Sequence, residues 1–223
     1  MGLKKLKLYL KYGKITSCNG PAKWEINKDD KILILTPHPD DETIACGGLL
    51  SLYASQCDVI LLTDGCHGDP NIEPKKMANI RWKEFSSVMT ELGVNNYHAL
   101  NIEDGKLLHN HKIFKNIDVS GYKYILMPHK NDSHIDHVAV FILMNKYFRK
   151  YKKNFVFYEL WTPMERPTHF IDISDVIDKK YNLINKYKCQ TSIIDYAEII
   201  KGLNRYRGLI SNIKYSEMYY MYK

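Results

Sequence analysis

Lys31-Ile32-Leu33-Ile34-Leu35-Thr36, running straight into Pro37-His38-Pro39-Asp40-Asp41-Glu42, is the stretch on which the reading of this chain turns. The unbroken Ile/Leu run has the length and residue type of a strand buried on both faces. One imidazole and three acids follow where the chain leaves that strand, and the prolines flanking His38 restrict the backbone around it. A helix start accounts for one or two of the acids, which complement its N-terminal dipole. It does not account for a histidine between prolines.

Outward from this point the same alternation repeats. Strand-sized apolar runs fall at residues 58–63, 97–102, 122–127, 155–160 and 169–173, with helical patterns at 42–55, 77–92, 137–151 and 195–207. Trp82, Phe85, Met89 and Leu92 share one side of the second helix, and Gly93 ends it. Ser174 is placed to cap a further helix reaching Lys188, and Gly208 to end the last one. Strand and helix in alternation predict an α/β, Rossmann-like fold: a mostly parallel sheet with helices on both faces. With no repeat, linker or low-complexity tract, residues 1–223 read as a single domain, residues 1–30 being an N-terminal addition.

Composition limits the function classes. The chain has 223 residues, 45% of them hydrophobic, enough for one sizeable core. No apolar run reaches membrane-spanning length. Lysine interleaves with leucine over residues 3–8, unlike a secretory signal. Five cysteines, Cys18, Cys46, Cys57, Cys66 and Cys189, are odd in number and form no CxxC pair. They argue against a disulfide framework and for a reducing compartment, so a cytoplasmic location is expected. The net charge of +7 comes from dispersed lysines. It reads as a solvated basic surface that favours anionic small molecules, with no nucleic-acid partner expected.

A second cluster, Asp132-Ser133-His134-Ile135-Asp136-His137, follows the fourth predicted strand and opens a helix. Ligands of open parallel sheets bind beyond the carboxyl ends of the strands, and both clusters fall there. His38, Asp41 and His137 together give two imidazoles and one carboxylate, the donor set of catalytic zinc with an open position. Asp40 and His134 are left beside that metal for proton transfer. A non-haem iron oxygenase using His38, Asp40 and His137 fits the same residues, although such enzymes typically use β-rich barrels. A metallo-β-lactamase-like site fits less well, because Asp132 stands where its first histidine belongs. A metal-binding module without activity is a third alternative.

The two boxes resemble those of the PIG-L or LmbE-like zinc N-deacetylases, over about residues 31–220. Pro37 to Glu42 is similar to the family's H-P-D-D-E box, and His134 to His137 to its H-x-D-H box. Smaller matches are Thr63-Asp64-Gly65, Arg81 with Glu84, Asp104-Gly105, Asp172-Ile173-Ser174, and Arg207-Gly208 with Glu217. The resemblance implies zinc, with Fe²⁺ as the alternative ion, held by His38, Asp41 and His137. It implies Asp40 as general base and His134 as the partner of the oxyanion. The implied reaction is removal of an N-acetyl group from an acetamido sugar, such as N-acetylglucosamine on a lipid, nucleotide or phosphate. Cys66-His67-Gly68 departs from the acidic residue often found after the T-D-G turn, and Cys66 reads as a packed thiol.

Four residues remain to be given roles. Arg81 is a candidate for a substrate hydroxyl or anion, or for a structural pair with Glu84. Asp104 is a candidate for sugar hydroxyls, although Asp-Gly is also an ordinary turn. Asp136 is a candidate to orient His134 or His137. His129 reads as a solvated loop histidine.

Overall fold

The computed structural model describes residues 20–151 and 153–222. Residues 1–19, most of the expected N-terminal addition and with them Cys18, lie outside the described residues. The strands are β1 (Ala22–Lys23), β2 (Ile32–Thr36), β3 (Cys57–Thr63), β4 (Asn96–Ile102), β5 (Tyr124–Pro128), β6 (Asn154–Tyr158), β7 (His169–Asp172) and β8 (Ser216–Tyr222). The α-helices are α1 (Asp41–Tyr53), α2 (Pro74–Leu92), α3 (Ile135–Tyr147), α4 (Ile177–Ile184), α5 (Lys188–Thr191) and α6 (Tyr196–Ile210).

Among the described residues the strands form one sheet in the order β1-β7-β8-β6-β5-β2-β3-β4. Every pairing is parallel except those of β8, which runs antiparallel to β6 and β7. The mostly parallel α/β sheet read from the alternation is therefore present. β2 lies between β3 and β5, so the chain winds outward through β3 to β4 and then crosses back to β5. That reversal opens a crevice at the carboxyl ends of β2 and β5, and both polar clusters emerge there.

Side chains alternate along each strand and feed two cores. Ile32, Ile34, Val59 and Leu61 pack with Ile44, Phe85, Ile177 and Ile200, on the side of α1, α2, α4 and α6. Leu33, Leu35, Ile60 and Leu62 pack with Val140, Leu143 and Phe114, on the side of α3. Helix α1 is buried from Asp41 to Leu50. It fits because two glycines, Gly47 and Gly48, face its neighbours; a Cβ on Gly48 would sit 2.3 Å from Ile173 Cγ2.

The structure corrects several local expectations. Trp82 is 37% exposed, whereas Phe85, Met89 and Leu92 are buried, since the inward face of α2 runs through Met77, Arg81 and Val88. Ser174 caps no helix; its hydroxyl donates to Asp172 Oδ1 at 2.6 Å, and α4 starts only at Ile177. Gly208 lies inside α6 rather than after it, where a Cβ would meet Lys214 O at 2.4 Å. Close approach of the backbone, not helix termination, is the reason for that glycine. β1 and β8 had no clear periodic signal. β1 is two residues long, and β8 shows no period-2 alternation, being buried from Ser216 to Tyr219.

Candidate metal and catalytic centre

His38 leaves the end of β2, and Asp41 opens α1. The backbone N–H of His38 donates to Asp41 Oδ2 at 3.0 Å, which folds the two side chains toward each other. Asp41 Oδ2 lies 3.1 Å from His38 Nδ1 and 3.1 Å from His137 Nε2, and the two ring nitrogens are 3.4 Å apart. Two imidazole nitrogens and one carboxylate oxygen thus form a small triangle, all three side chains buried. This is the donor set and convergence that a borderline-soft divalent ion such as zinc takes. His137 Nδ1, on the far side of the ring, lies 3.1 Å from Asp132 Oδ1, an ion-pair contact without hydrogen-bond alignment, on the side where a metal-ligating histidine commonly has a carboxylate.

The other edge of His38 faces more acid. Its Nε2 is 3.2 Å from Asp104 Oδ1 and 3.3 Å from Asp136 Oδ2, while Asp136 Oδ2 also accepts from Gly105 N at 2.8 Å. Asp136 therefore backs His38, and Asp132 takes the place at His137 for which Asp136 was a candidate. Two further donor trios, His38–His134–His137 and His38–Asp104–Asp136, bring one ligand atom from each residue within 4.8 Å of the others. All three trios share His38.

Protonation follows from this crowding. Burial works against charge on His38, but Asp104, Asp136 and Asp41 outweigh it and hold the imidazole well above its usual value. Burial opposes charge on His137 as well, and Asp41 and Asp132 bring it up to about 9. Asp41 is held far below the carboxylate range, its burial outweighed by both histidines. Without a cation, protons on the two rings provide the positive charge that the acids require.

Asp40, at the start of α1, makes no side-chain cap bond and has a backbone φ of 141°. That is a strained conformation for a non-glycine residue, and such strain concentrates at functional sites. Its carboxylate accepts from Arg81 Nη2 at 3.1 Å. Arg81 is itself buried and also donates to Pro39 O at 3.0 Å and Gly65 O at 3.2 Å. Burial pushes the Asp40 carboxyl up, to about 7, against the pull of Arg81. The guanidinium is thus committed to Asp40 and to two loops. Glu84, the alternative partner, accepts instead from Cys189 N at 3.1 Å.

His134 caps α3, its Nδ1 accepting from Asp136 N at 3.2 Å. Its ring lies edge-on to His38, with centroids 4.6 Å apart. Burial and the positive charges of His38 and His137 lower its pKa. With Nδ1 taken as an acceptor, the ring is neutral and carries its proton on Nε2, so His134 offers the oxyanion a neutral N–H donor. His129, read as solvated, is buried; its Nε2 lies 2.5 Å from Thr162 O. Cys66 is buried, and its thiol is pushed up to about 11, in keeping with a packed residue.

Sequence reasoning missed Asp132, whose contact with His137 depends on how the loop after β5 closes. It also missed the surroundings of Glu42, which accepts from Thr36 Oγ1 at 3.2 Å, Thr43 Oγ1 at 2.7 Å and Tyr187 OH at 2.5 Å. Its position in the first box was the available signal. These bonds tie the end of β2 to α1 and to the segment before α5.

Comparison with known proteins bears on this centre. The profile of the PIG-L family, described as GlcNAc-PI de-N-acetylase, matches residues 33–157. The diacetylchitobiose deacetylase of Thermococcus kodakarensis is 28% identical over 221 residues, covering 86% of this chain and 82% of that protein. The N,N'-diacetylchitobiose deacetylase of Pyrococcus horikoshii superposes with a TM-score of 0.76 at 19% identity, covering 100% of this chain and 93% of that one. GalB, the 4-carboxy-2-hydroxymuconate hydratase of Pseudomonas putida, superposes with a TM-score of 0.68 at 19% identity, over 87% of this chain and 96% of that one. At such identities the two structural likenesses establish the fold.

Proposed function

The chain belongs to the PIG-L family, and on that premise we propose that it is a zinc-dependent hydrolase removing an N-acetyl group from an acetamido sugar. The observation that carries this reading is the buried triangle of His38 Nδ1, Asp41 Oδ2 and His137 Nε2, with sides of 3.1, 3.1 and 3.4 Å. Those residues would hold the ion, and the carboxylate beside His137 suits it. Zinc, when bound, makes a water nucleophilic near neutral pH and polarises an amide carbonyl.

The chain's own groups supply the rest. Asp40 takes the proton from the attacking water and returns it to the leaving amine. Arg81 fixes that carboxylate in one rotamer and offsets the effect of its burial. We assign Arg81 this positioning role in place of direct substrate contact. His134 Nε2–H donates to the oxygen on which negative charge develops, a preorganised contact of the kind that contributes most in acyl transfer. Asp104, half-buried beside His38, is left to orient either that ring or a sugar hydroxyl.

The reading extends to a single domain acting in the cytoplasm on an N-acetylglucosamine conjugate, with the basic surface favouring an anionic one. Among the described residues no helix is long and apolar enough to cross a membrane. The names of two relatives, both deacetylases of diacetylchitobiose, support an amino-sugar amide as substrate. The test is acetate release from a panel of acetamido sugars and sugar nucleotides, with zinc supplied and with the protein chelated. Equal activity after complete chelation, or release from none of the panel, overturns the proposal.

A further inference from the structure

Helix α6 buries one face, through Tyr196, Ala197, Ile200, Asn204, Arg207 and Gly208, and leaves the other without a partner among the described residues. Ile199, Tyr206, Leu209 and Ile210 lie on that outer face at helical spacing, their exposure running from 41% at Ile210 to 70% at Leu209. Ile193 and Ile194, just before the helix, are exposed as well. Six of the fourteen large apolar side chains exposed among the described residues thus fall between positions 193 and 210. Single exposed apolar residues are ordinary, but a contiguous row of them marks a contact surface. Gly202 sits mid-row, and a Cβ there would meet nothing within 4 Å. Glycine weakens an exposed helix relative to alanine, and no neighbour in the described chain calls for it. What it permits is close approach from outside.

The charges beside the row indicate what approaches. Glu198 and Arg205 stand seven residues apart on the same flank, roughly 10 Å along the axis and too far to pair with each other. Neither has an ion-pair partner among the described residues; Arg205 makes a single bond, from Nη1 to Lys214 O at 3.0 Å. A two-fold contact uses the same patch on both copies. Two such helices laid antiparallel, with the axis near Gly202, set Glu198 of each copy opposite Arg205 of the other. The same register sets Ile193 and Ile194 opposite Ile210 and Leu209. Lys201, about 100° round the helix from Gly202, points out of the contact. We infer that this face is a homodimer interface, its occupant a second copy of the chain packed antiparallel through α6. The face continues into an apolar cleft that Ile199 and Leu203 share with Trp161, whose backbone N–H donates to Asp132 Oδ2 at 3.1 Å. The contact therefore adjoins the loop that reaches the centre, although the inference does not depend on the deacetylase reading.

The test is sedimentation equilibrium of the full chain from micromolar to hundreds of micromolar, at low and high salt. The wild type is expected to dimerise, and Ile199→Asp to weaken its association by more than about tenfold, since it buries two unpaired charges in the contact. Ile199 is exposed, so the melting temperature of the dilute variant checks that it still folds. Charge reversal tests the register. Glu198→Arg and Arg205→Glu, each alone, place like charges opposite one another and are expected to weaken association about tenfold at low salt. The double variant restores opposite charges across the axis and recovers the affinity. It does not regain the Arg205 bond to Lys214 O, so recovery reports pairing between copies and not repair within one. A wild type that stays monomeric throughout overturns the inference. So does a dimer that Ile199→Asp leaves intact, or a double variant that associates no better than the single ones. Binding of the monomeric wild type to phosphatidylserine–phosphatidylcholine vesicles, lost in Ile199→Asp, overturns it too, by giving the face to a lipid surface.

Discussion

Asp40 and Asp41 are adjacent and chemically identical, yet the structure gives them different surroundings, and exchanging each for asparagine separates their roles. Asp41 Oδ2 stands 3.1 Å from both His38 and His137, whereas Asp40 Oδ2 stands 3.1 Å from Arg81. In Asp40→Asn the amide oxygen still accepts from Arg81, and the guanidinium keeps its bonds to Pro39 O and Gly65 O. The structural cost is therefore one weakened charge-assisted bond, about 1.5–3 kcal/mol. The chemical cost is larger: loss of general acid–base catalysis lowers turnover by roughly 10²–10⁴-fold, about 2.7–5.4 kcal/mol of barrier.

Two measurements decide the matter, metal stoichiometry by elemental analysis and acetate release under single turnover. Asp40→Asn is expected to keep its metal and lose turnover, and Asp41→Asn to lose both. The wild-type rate should fall on the acid side as Asp40 takes up a proton. Burial raises this carboxyl to about 7 in the metal-free protein, and a bound dication moves that limb to lower pH. The limb should vanish in Asp40→Asn. If Asp40→Asn loses its metal while Asp41→Asn keeps it, or if both retain near-normal turnover, the assignment is refuted.

Other consequences are open to measurement. His38→Ala and His137→Ala should each lower zinc occupancy and activity together, read by elemental analysis beside the rate. Arg81→Met should leave zinc in place yet lower kcat and shift the acid limb, while Arg81→Lys recovers part of the loss; an unchanged pH profile contradicts the positioning role. The chelated protein should respond to pH with a definite sign. The folded-state pKa of His137, raised to about 9, gives stability that is complete below its unfolded value of about 6.5 and lost as pH rises through 9. Melting temperature of the chelated protein should thus fall over that window, while zinc affinity, which requires those protons to leave, should rise. Glu217→Gln should destabilise by about 3–5 kcal/mol in urea titration, because it strands the fully buried Lys180, 2.7 Å from the carboxylate.

The sheet was legible because its strands carry their signal locally. Ile32 to Leu35 and Val59 to Leu62 are buried on both faces and read as unbroken apolar runs. The centre was legible as residue types, since His38, Asp41 and His137 stand at strand ends. Their partners were not. Asp132 and Asp136 are both acids near His137, and only the path of the loop after β5 decides that one backs His137 and the other His38. Arg81 illustrates the same limit. Helical spacing offered it Glu84 three residues on, but its place on the buried face of α2 directs it across the fold to Asp40. Trp82 was misplaced for the converse reason: a large apolar residue on a helix is assigned to the core by pattern, whereas this one is 37% exposed.

The fold cannot by itself decide the reaction. A hydratase and a deacetylase superpose on this chain at the same 19% identity, so the sheet and its crevice are common to different chemistries. The discriminating feature must be local, and the first box provides it. Asp41 and Asp40 occupy adjacent positions at the start of α1, and Asp40, with a φ of 141°, holds its carboxylate 3.1 Å from a buried guanidinium. A carboxylate used only to balance a metal's charge has no need of such a partner, nor of a strained backbone. Holding one acid beside the ion-binding donors, with Arg81 opposing the burial that raises its pKa, keeps a proton acceptor available through attack and through departure of the amine. Amide hydrolysis requires that double use of one carboxylate, because the amine is a poor leaving group until it is protonated. Arg81→Met therefore tests the reaction class as well as the residue. An amide hydrolase should lose most on substrates with the most basic leaving amine, and a uniform loss across leaving groups would remove this argument for amide cleavage.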